Sequence, residues 1–188
     1  MSEHPHQVET TPHASHDMSS MAAGATLHCL TGCAIGEIVG LLLGAAFGWG
    51  NGLTTVVAIA LAFVFGYTLS AIPLLRGGIA AKTALTLVLA ADTVSIATME
   101  VVDNLVMWIV PGAMNAGLLD LLFWVSMALA LVAAYFAALP VNKRLLRQGK
   151  GHAITHHAGG AAMDNRPLAF GIAAFLLGGA VASLGTLL

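Results

Sequence analysis

The sequence predicts an all-α, polytopic integral membrane protein, a bundle of about five transmembrane helices. Of its 188 residues, 58% are hydrophobic and only 9% are charged, proportions that do not fit a soluble globular domain. The hydrophobic residues form long runs, each close to the roughly 20 helical residues that cross a hydrocarbon core. None of these runs alternates in polarity as the strands of a membrane barrel do. We therefore expect helices in a lipid bilayer.

Turn-forming residues separate the predicted spans. The segments GNG at 50–52, RGG at 76–78 and PG at 111–112 favour turns, and Pro140 is expected to end the fourth span. The predicted spans are residues 28–49, 53–75, 79 to about 104, 117–139 and 167–188.

Four segments follow from this division. Residues 1–26 are rich in His, Ser, Thr and Pro and poor in large apolar residues, so we expect a disordered tail. Residues 27–150 form a four-helix transmembrane core, 151–166 a flexible loop rich in Gly and His, and 167–188 a C-terminal span. The tail lacks the basic start of a signal peptide, so no cleavage is expected.

The basic residues predict the orientation. They lie in the second and fourth connections, which share a side with the N-terminus in a five-span protein. Because Lys and Arg near helix ends are retained in the cytoplasm, the N-terminus is predicted to be cytoplasmic. All eight histidines fall on that side. Solvation in a polar segment is a sufficient explanation for each of them, but His-rich tracts also bind metal ions. The histidines are His4, His6, His13, His16, His28, His152, His156 and His157.

The stretch LHCLTGCAIGE, residues 27–37, places Cys29, Cys33 and Glu37 on one helix face. Cβ atoms four residues apart lie about 5–6 Å from each other, too far for an unstrained disulfide at about 3.8 Å. Two thiolates beside the imidazole of His28 suit copper(I) or zinc(II). The alternative is that both cysteines are small packing residues. A row of glycines at 32, 36, 40 and 44 is suited to helix association and predicts a homodimer.

Acidic residues inside the spans need a reason, because a buried carboxylate costs a few kcal/mol unless it is paired, protonated or hydrated. Glu37 lies ~13 Å beyond His28 and Asp92 ~15 Å beyond the start of the third span at Lys82. We expect these two carboxyl groups to meet and to share a proton or hold a cation. The alternative for Asp92 is a lone protonated acid bonded to a neighbouring Ser or Thr.

The third span reads DTVSIATMEVVDN over residues 92–104 and predicts a polar ladder on one face. The alternative for its outer acids, and for Asp120, is solvation at the membrane surface. Met107, Met114 and Met127 are expected to be packing residues, and Trp49, Trp108 and Trp124 to form an interfacial belt. The predicted ladder consists of Asp92, Ser95, Met99 and Asp103, with Glu100 at its edge.

The segments HCLTGCAIGEIVG, AADTVSIATMEVVDN and LPVNKRL resemble the signature of an uncharacterised bacterial family of small integral membrane proteins, a domain of unknown function. The resemblance covers residues 27 to 150 and implies a bacterial cytoplasmic (inner) membrane, but no activity. The family pattern that it implies comprises His28, Cys29, Cys33, Glu37, Asp92, Glu100, Asp103 and Asn142.

The leading functional hypothesis is binding and transport of a transition metal ion, copper or zinc, with a metal donor or acceptor protein as partner. No P-loop is present, so pumping would use an ion gradient or a partner, and too few basic residues are present to bind nucleic acid. The alternatives are a thiol oxidoreductase, a metal-dependent hydrolase or a passive scaffold, and we do not favour an enzyme. The predicted metal residues are His28, Cys29, Cys33, Glu37, Asp92, Met99, Glu100 and Asp103.

Overall fold

The computed structural model describes residues 12–148, with side chains from residue 18 onward, and residues 169, 172–173 and 175–180. Within these residues the regular structure is helical, and four helices are long and apolar enough to cross a membrane. The predicted helical membrane bundle is confirmed. The fifth span, the 151–166 loop and the side chains of the histidine-rich tail lie largely outside the described residues. The helices are α1 (Pro12–Phe47), α2 (Asn51–Arg76), α3 (Ala81–Ile109) and α4 (Leu121–Arg147), with a 3-10 turn at Ala113–Asn115.

The helices end where the local sequence requires it. Gly48, with φ of 65°, follows the last residue of α1, and a left-handed residue after a helix is readily formed only by glycine. Val110 is extended after α3, as is favoured before a proline. Gly112 then takes φ of 85° and turns the chain toward α4. The predicted turns at 50–52 and 111–112 therefore lie at helix boundaries.

Four helices joined by short connections form an up-and-down bundle in which α1 packs on α2, on α4 and, across the bundle, on α3. Connections 48–50 and 110–120 lie at one end, which we call the Asn51 end. The other end, the basic end, holds the start of α1, connection 77–80 and the end of α4. The described basic residues Arg76, Lys82, Lys143, Arg144 and Arg147 lie there, as the sequence predicts.

Two helix boundaries differ from the prediction. Helix α1 begins at Pro12, so the predicted disordered tail is too long, because alanines among residues 21–25 form helix well despite the polar composition around them. Pro140 lies inside α4, which continues to Arg147. One proline removes a single backbone hydrogen bond, and its ring here is exposed on the outside of the bundle, so the helix continues past it.

The glycine row of α1 packs against α2 inside the chain. A Cβ atom on Gly32 would lie 2.5 Å from Cα of Gly66, and one on Gly40 would lie 2.5 Å from Cα of Ala58. Gly36 contacts Ala62 just as closely. The prediction that this row forms a dimer interface is therefore wrong, because its surface is already covered by α2. Whether the protein forms a homodimer by another surface stays a prediction.

The outer surface of the bundle is apolar. Val64 on α2, Val101 on α3 and Phe136 on α4 are 57%, 68% and 66% exposed. Surfaces of this kind are unfavourable in water but match the hydrocarbon of a bilayer. Trp108 is exposed at the Asn51 end, as an interfacial tryptophan would be, whereas Trp124 is 6% exposed and donates a hydrogen bond from Nε1 to the carbonyl oxygen of Leu118 (2.8 Å). Trp124 is thus part of the packing and does not belong to a belt.

Candidate cation site

The predicted polar face of α3 points into the bundle. This confirms that the positions share one face, and it contradicts the alternative of solvated helix ends for Glu100 and Asp103. Asp120 fits that alternative, since it is exposed and its Oδ1 accepts a hydrogen bond (2.9 Å) from the backbone N–H of Leu122 at the start of α4. The exposed fractions on α3 are 7% for Asp92, 0% for Ser95, 1% for Met99, 4% for Glu100 and 5% for Asp103.

Glu37 of α1 meets Asp103 of α3. Their carboxyl groups lie within hydrogen-bonding reach of each other, and Glu100 lies beside them. Glu37 is itself 6% exposed. A hydrogen bond between two carboxyl groups requires a proton between them, because each ionised carboxylate can only accept. Two adjacent carboxyl groups buried in the bundle therefore favour one shared proton over two negative charges.

The expected meeting of Glu37 with Asp92 is wrong, because His28 on α1 and Lys82 on α3 do not lie at the same height in the bundle. Helix α1 begins well before His28, so distances are better taken from the helix ends at the Asn51 end. From there Glu37 lies ~15 Å deep in α1, and Glu100 and Asp103 lie ~14 Å and ~9 Å deep in α3. Asp92, at ~26 Å, lies nearer the level of Cys29.

The two cysteines lie along the same internal face. Cys33 lies beside the carboxyl group of Glu100, and Cys29 lies beside the hydroxyl of Ser70 on α2. That hydroxyl also lies beside the carboxyl group of Asp92, so a serine of a neighbouring helix stands next to this acid, as the alternative expects. Polar groups thus succeed one another from Asp92 near mid-depth to Asp103 toward the Asn51 end.

Several of these groups have oxygen atoms without a hydrogen-bond partner among the described residues. Buried polar atoms are usually satisfied, and each exception costs about 1–3 kcal/mol. Such a concentration on one face is therefore costly to the fold and favours a role in ligand binding. The unpartnered atoms on α1 and α3 are Oε2 of Glu37, Oδ2 of Asp92, Oγ of Ser95, both carboxyl oxygens of Glu100 and Oδ1 of Asp103.

A cavity of about 70 Å³ adjoins the acidic residues at the Asn51 end. Glu37, Glu100 and Asp103 line it, and among its described lining residues there is no Lys, Arg or His. A space of this size accommodates a few water molecules or a partly hydrated ion. With acids on its wall and no cation beside them, the cavity favours a positively charged occupant. We call this space the acidic cavity.

The rest of the lining contains residues that the sequence analysis did not assign to a site. Met107 of α3, Met114 of the 3-10 turn and Met127 of α4 line the acidic cavity, as does Asn51. The side-chain amide of Asn51 donates a hydrogen bond (2.8 Å) to Oδ1 of Asn115, which ties the start of α2 to the turn beside the cavity. Pro111 and Gly112 separate Met107 from Met114, and Met127 belongs to the next helix, so no single helical period predicts that the three lie together.

The predicted His/Cys port does not assemble as three ligands. His28 is half-buried, and within the part of the chain that the structure describes no three His, Cys, Asp or Glu side chains converge as a metal site. Met99 is buried among the residues around Cys29 and Cys33, away from the acidic cavity. Cys29 and Cys33 are both free, and they are 1% and 2% exposed.

Asn142 contacts α1 at the basic end. Its Nδ2 donates a hydrogen bond (2.8 Å) to Oγ1 of Thr26, and that hydroxyl in turn donates to the backbone carbonyl of Ala22 (2.7 Å). Both side chains are buried, at 5% and 0% exposure. These two hydrogen bonds join α1 to the last turns of α4 about one helix turn before Cys29.

Comparison with known families identifies the chain. It belongs to the family described as Domain of unknown function (DUF4396), whose model matches residues 19–151. The match includes all four membrane-spanning helices and begins before residue 27, within the part of α1 that the sequence analysis placed in the tail. No curated protein and no solved structure matches the chain significantly.

Proposed function

We propose that this protein binds a cation inside the membrane and carries it across, with a transition metal ion, copper or zinc, as the transported ion. The observation that carries the proposal is the acidic cavity, in which the oxygens of Glu37, Glu100 and Asp103 lie buried with no basic partner among the described residues. Intramembrane carboxyl groups in such surroundings typically serve ion or proton pathways.

The arrangement along α1 and α3 supports movement as well as binding. From the acidic cavity, the polar face continues through Cys33 and Glu100 to Cys29, Ser70 and Asp92. Cations are transferred readily between neighbouring groups of moderate affinity, whereas a site with many fixed ligands retains its ion. The proton between Glu37 and Asp103 would be released when a cation binds, which couples the two ions.

Burial of the thiols supports transport over thiol chemistry. Disulfide exchange needs a thiolate that a partner disulfide can reach, and Cys29 and Cys33 are almost fully covered by neighbouring side chains. A scaffold is less consistent with the unpartnered oxygens, since a purely structural role would favour apolar residues of the same size there.

The proposal includes an orientation and a location. The N-terminus and the basic end would face the cytoplasm of a bacterial cell, because five basic residues described at that end would be retained there. The acidic cavity would then open on the outer side of the inner membrane. A cysteine placed at exposed Gly52 and one at exposed Gln148, labelled with a membrane-impermeant reagent in intact cells, would test this, since only the former should react.

The test of function is ion flux in liposomes. The full chain is reconstituted around fluorophores that report zinc(II), copper(I) or pH, and a gradient of the metal is imposed. We expect flux above that of empty liposomes, with opposite movement of protons, and a decrease of at least tenfold in a variant carrying Glu37→Gln and Asp103→Asn.

The matched control for this test is Asp120→Asn. It also neutralises an acid at the Asn51 end, but Asp120 is not among the residues that line the acidic cavity, so it should leave flux unchanged. Wild-type protein that moves none of these ions would overturn the proposal. Equal flux through the double variant would show that the cavity acids are not part of the path.

A further inference from the structure

We infer that the acidic cavity is a binding site for a soft monovalent cation of the copper(I) class, held by the thioethers of Met107, Met114 and Met127 together with a carboxyl group. This inference rests on the proposed function and specifies its ion. It starts from the observation that three methionines from separate elements line one space.

The methionines come together only through the fold. Met107 lies in the last turns of α3, Met114 in the 3-10 turn and Met127 in the second turn of α4. All three belong to one cluster at the Asn51 end, where Met107 and Met127 are 8% and 2% exposed and Met114 packs against the same cluster. Thioether sulfur binds soft ions such as copper(I) and is a poor ligand for zinc(II).

The carboxyl groups supply the negative charge that the thioethers lack. Thioethers are neutral, so a cation enclosed by them in a medium of low dielectric constant needs a negative charge nearby. Glu37, Glu100 and Asp103 line the same cavity with unpartnered oxygens, and each is more than nine-tenths buried.

The ordinary explanation for these methionines is packing, because methionine fills irregular spaces in protein interiors. Packing alone does not explain the unpartnered carboxyl oxygens in the same space. Apolar side chains next to these oxygens leave each of them without a hydrogen bond, which costs about 1–3 kcal/mol of stability. The two sets of residues are complementary if a soft cation lies between them.

Silver(I), which does not change oxidation state under these conditions, is the probe. The full chain, labelled with ¹³C in the methionine methyl groups and purified in detergent, is titrated with silver(I) and followed by NMR, with signals assigned from single Met→Leu variants. We expect the methyl signals of Met107, Met114 and Met127 to shift together within the first equivalents. Met99, buried outside the cavity beside Cys29 and Cys33, is the internal control; in a Cys29→Ser/Cys33→Ser background, where no thiol binds silver(I), it should not shift with them.

Binding is measured in parallel by equilibrium dialysis. The variant Met107→Leu/Met114→Leu/Met127→Leu keeps the packing volume and should bind about one silver(I) fewer per chain than the wild type, whereas Met99→Leu should bind as much as the wild type. Silver(I) flux into liposomes should fall at least tenfold in the triple variant. Zinc(II) should shift none of the three methyl signals.

The outcomes separate this inference from the proposed function. Flux of a metal ion without a shift of the three methyl signals would overturn the copper(I)-class site and leave the proposed function standing. Shifts of the three signals without flux of any ion through the wild type would support the site and overturn transport. If Met99 shifts as much as the other three, silver(I) is binding methionine without selectivity and the inference is wrong.

Discussion

Helix α1 packs one face against α2 and another against α3, and the two contacts differ in chemistry. The face toward α2 consists of the glycines at 32, 36, 40 and 44, of which the first three contact the backbone of α2 and Gly44 contacts the side chain of Thr54. The face toward α3 consists of Cys29, Cys33 and Glu37, which meet acids whose oxygens lack partners.

The difference shows how a tightly packed contact on one face of a helix can hold an energetically unfavourable site on another face in place. Close contact of small residues gains dispersion energy over a long surface, which is a major source of helix association in membranes. That contact fixes the rotation and height of α1, so that Glu37 lies opposite Asp103. The unfavourable burial of the acids is tolerated because other contacts of the same helix hold it in place.

The largest effect on stability is expected for Gly36→Leu. The new side chain would meet the backbone of Ala62, and a helix backbone cannot move away without separating α1 from α2. Overpacking of this kind costs about 1–3 kcal/mol and occasionally more, and the backbone contact places this substitution at the upper end. The measurement is the thermal unfolding midpoint in detergent together with size-exclusion behaviour.

The control for Gly36→Leu is Gly52→Ala. Gly52 has no atom within 4 Å of an added Cβ, so the midpoint should stay within experimental error. If Gly36→Leu were as stable as Gly52→Ala, the close contact between α1 and α2 would be contradicted. The face of α1 toward α2 would then not be the rigid contact described above.

A smaller effect is expected where α1 makes a polar contact that is satisfied. Asn142→Leu removes the hydrogen bond to Thr26 while keeping most of the volume, and should cost about 1–2 kcal/mol. A double-mutant cycle with Thr26→Val should give a coupling energy of about 0.6–1.7 kcal/mol, the range found between membrane helices. Coupling near zero would mean that this contact does not hold α1 to α4.

A still smaller effect on stability is expected for substitutions of Asp120, the acid outside the bundle. Asp120→Ala removes the cap of α4 and should lower stability by about 1 kcal/mol. Asp120→Asn keeps an N-cap oxygen and should restore most of that stability, which separates capping from charge. Because Asp120 does not line the acidic cavity, both variants should retain full ion flux. A loss of flux in Asp120→Asn would extend the path to the surface.

The smallest effect on stability is expected for Glu37→Gln. The amide can still donate a hydrogen bond to Asp103, and neutral groups are less costly to bury than charged ones, so the midpoint should be unchanged or higher. Ion flux should nevertheless fall at least tenfold. A decrease of more than about 1 kcal/mol in stability would instead assign the acidic face a structural role. The face toward α3 would then stabilise the fold, as the face toward α2 does.

Much of the fold follows from the sequence because its signals are local. The length of the apolar runs determines that the chain forms membrane-spanning helices, and the helical period places Asp92, Glu100 and Asp103 on one buried face of α3. The same period places Cys33 and Glu37 together on α1. These conclusions depend only on the geometry of one helix, which neighbouring residues specify.

The pairing between helices was decided by the tertiary structure. Periodicity gives the face of a residue but not the height of one helix relative to another, and height depends on where each helix begins. Because α1 begins at Pro12, Glu37 pairs with Asp103, and Asp92 lies with Ser70 and Cys29. The sequence does not specify which helix the glycine row contacts, and in the structure the row packs against α2.

The methionines of the acidic cavity show the same limit. Met107, Met114 and Met127 belong to three elements, and because α3 ends at Ile109 no continuous helix joins Met107 to the other two. They meet because the connection at Pro111 and Gly112 folds back over the end of the bundle and brings α4 beside α3. Sequence determines the helices and their faces through local geometry, whereas the cavity exists only because distant segments are packed together.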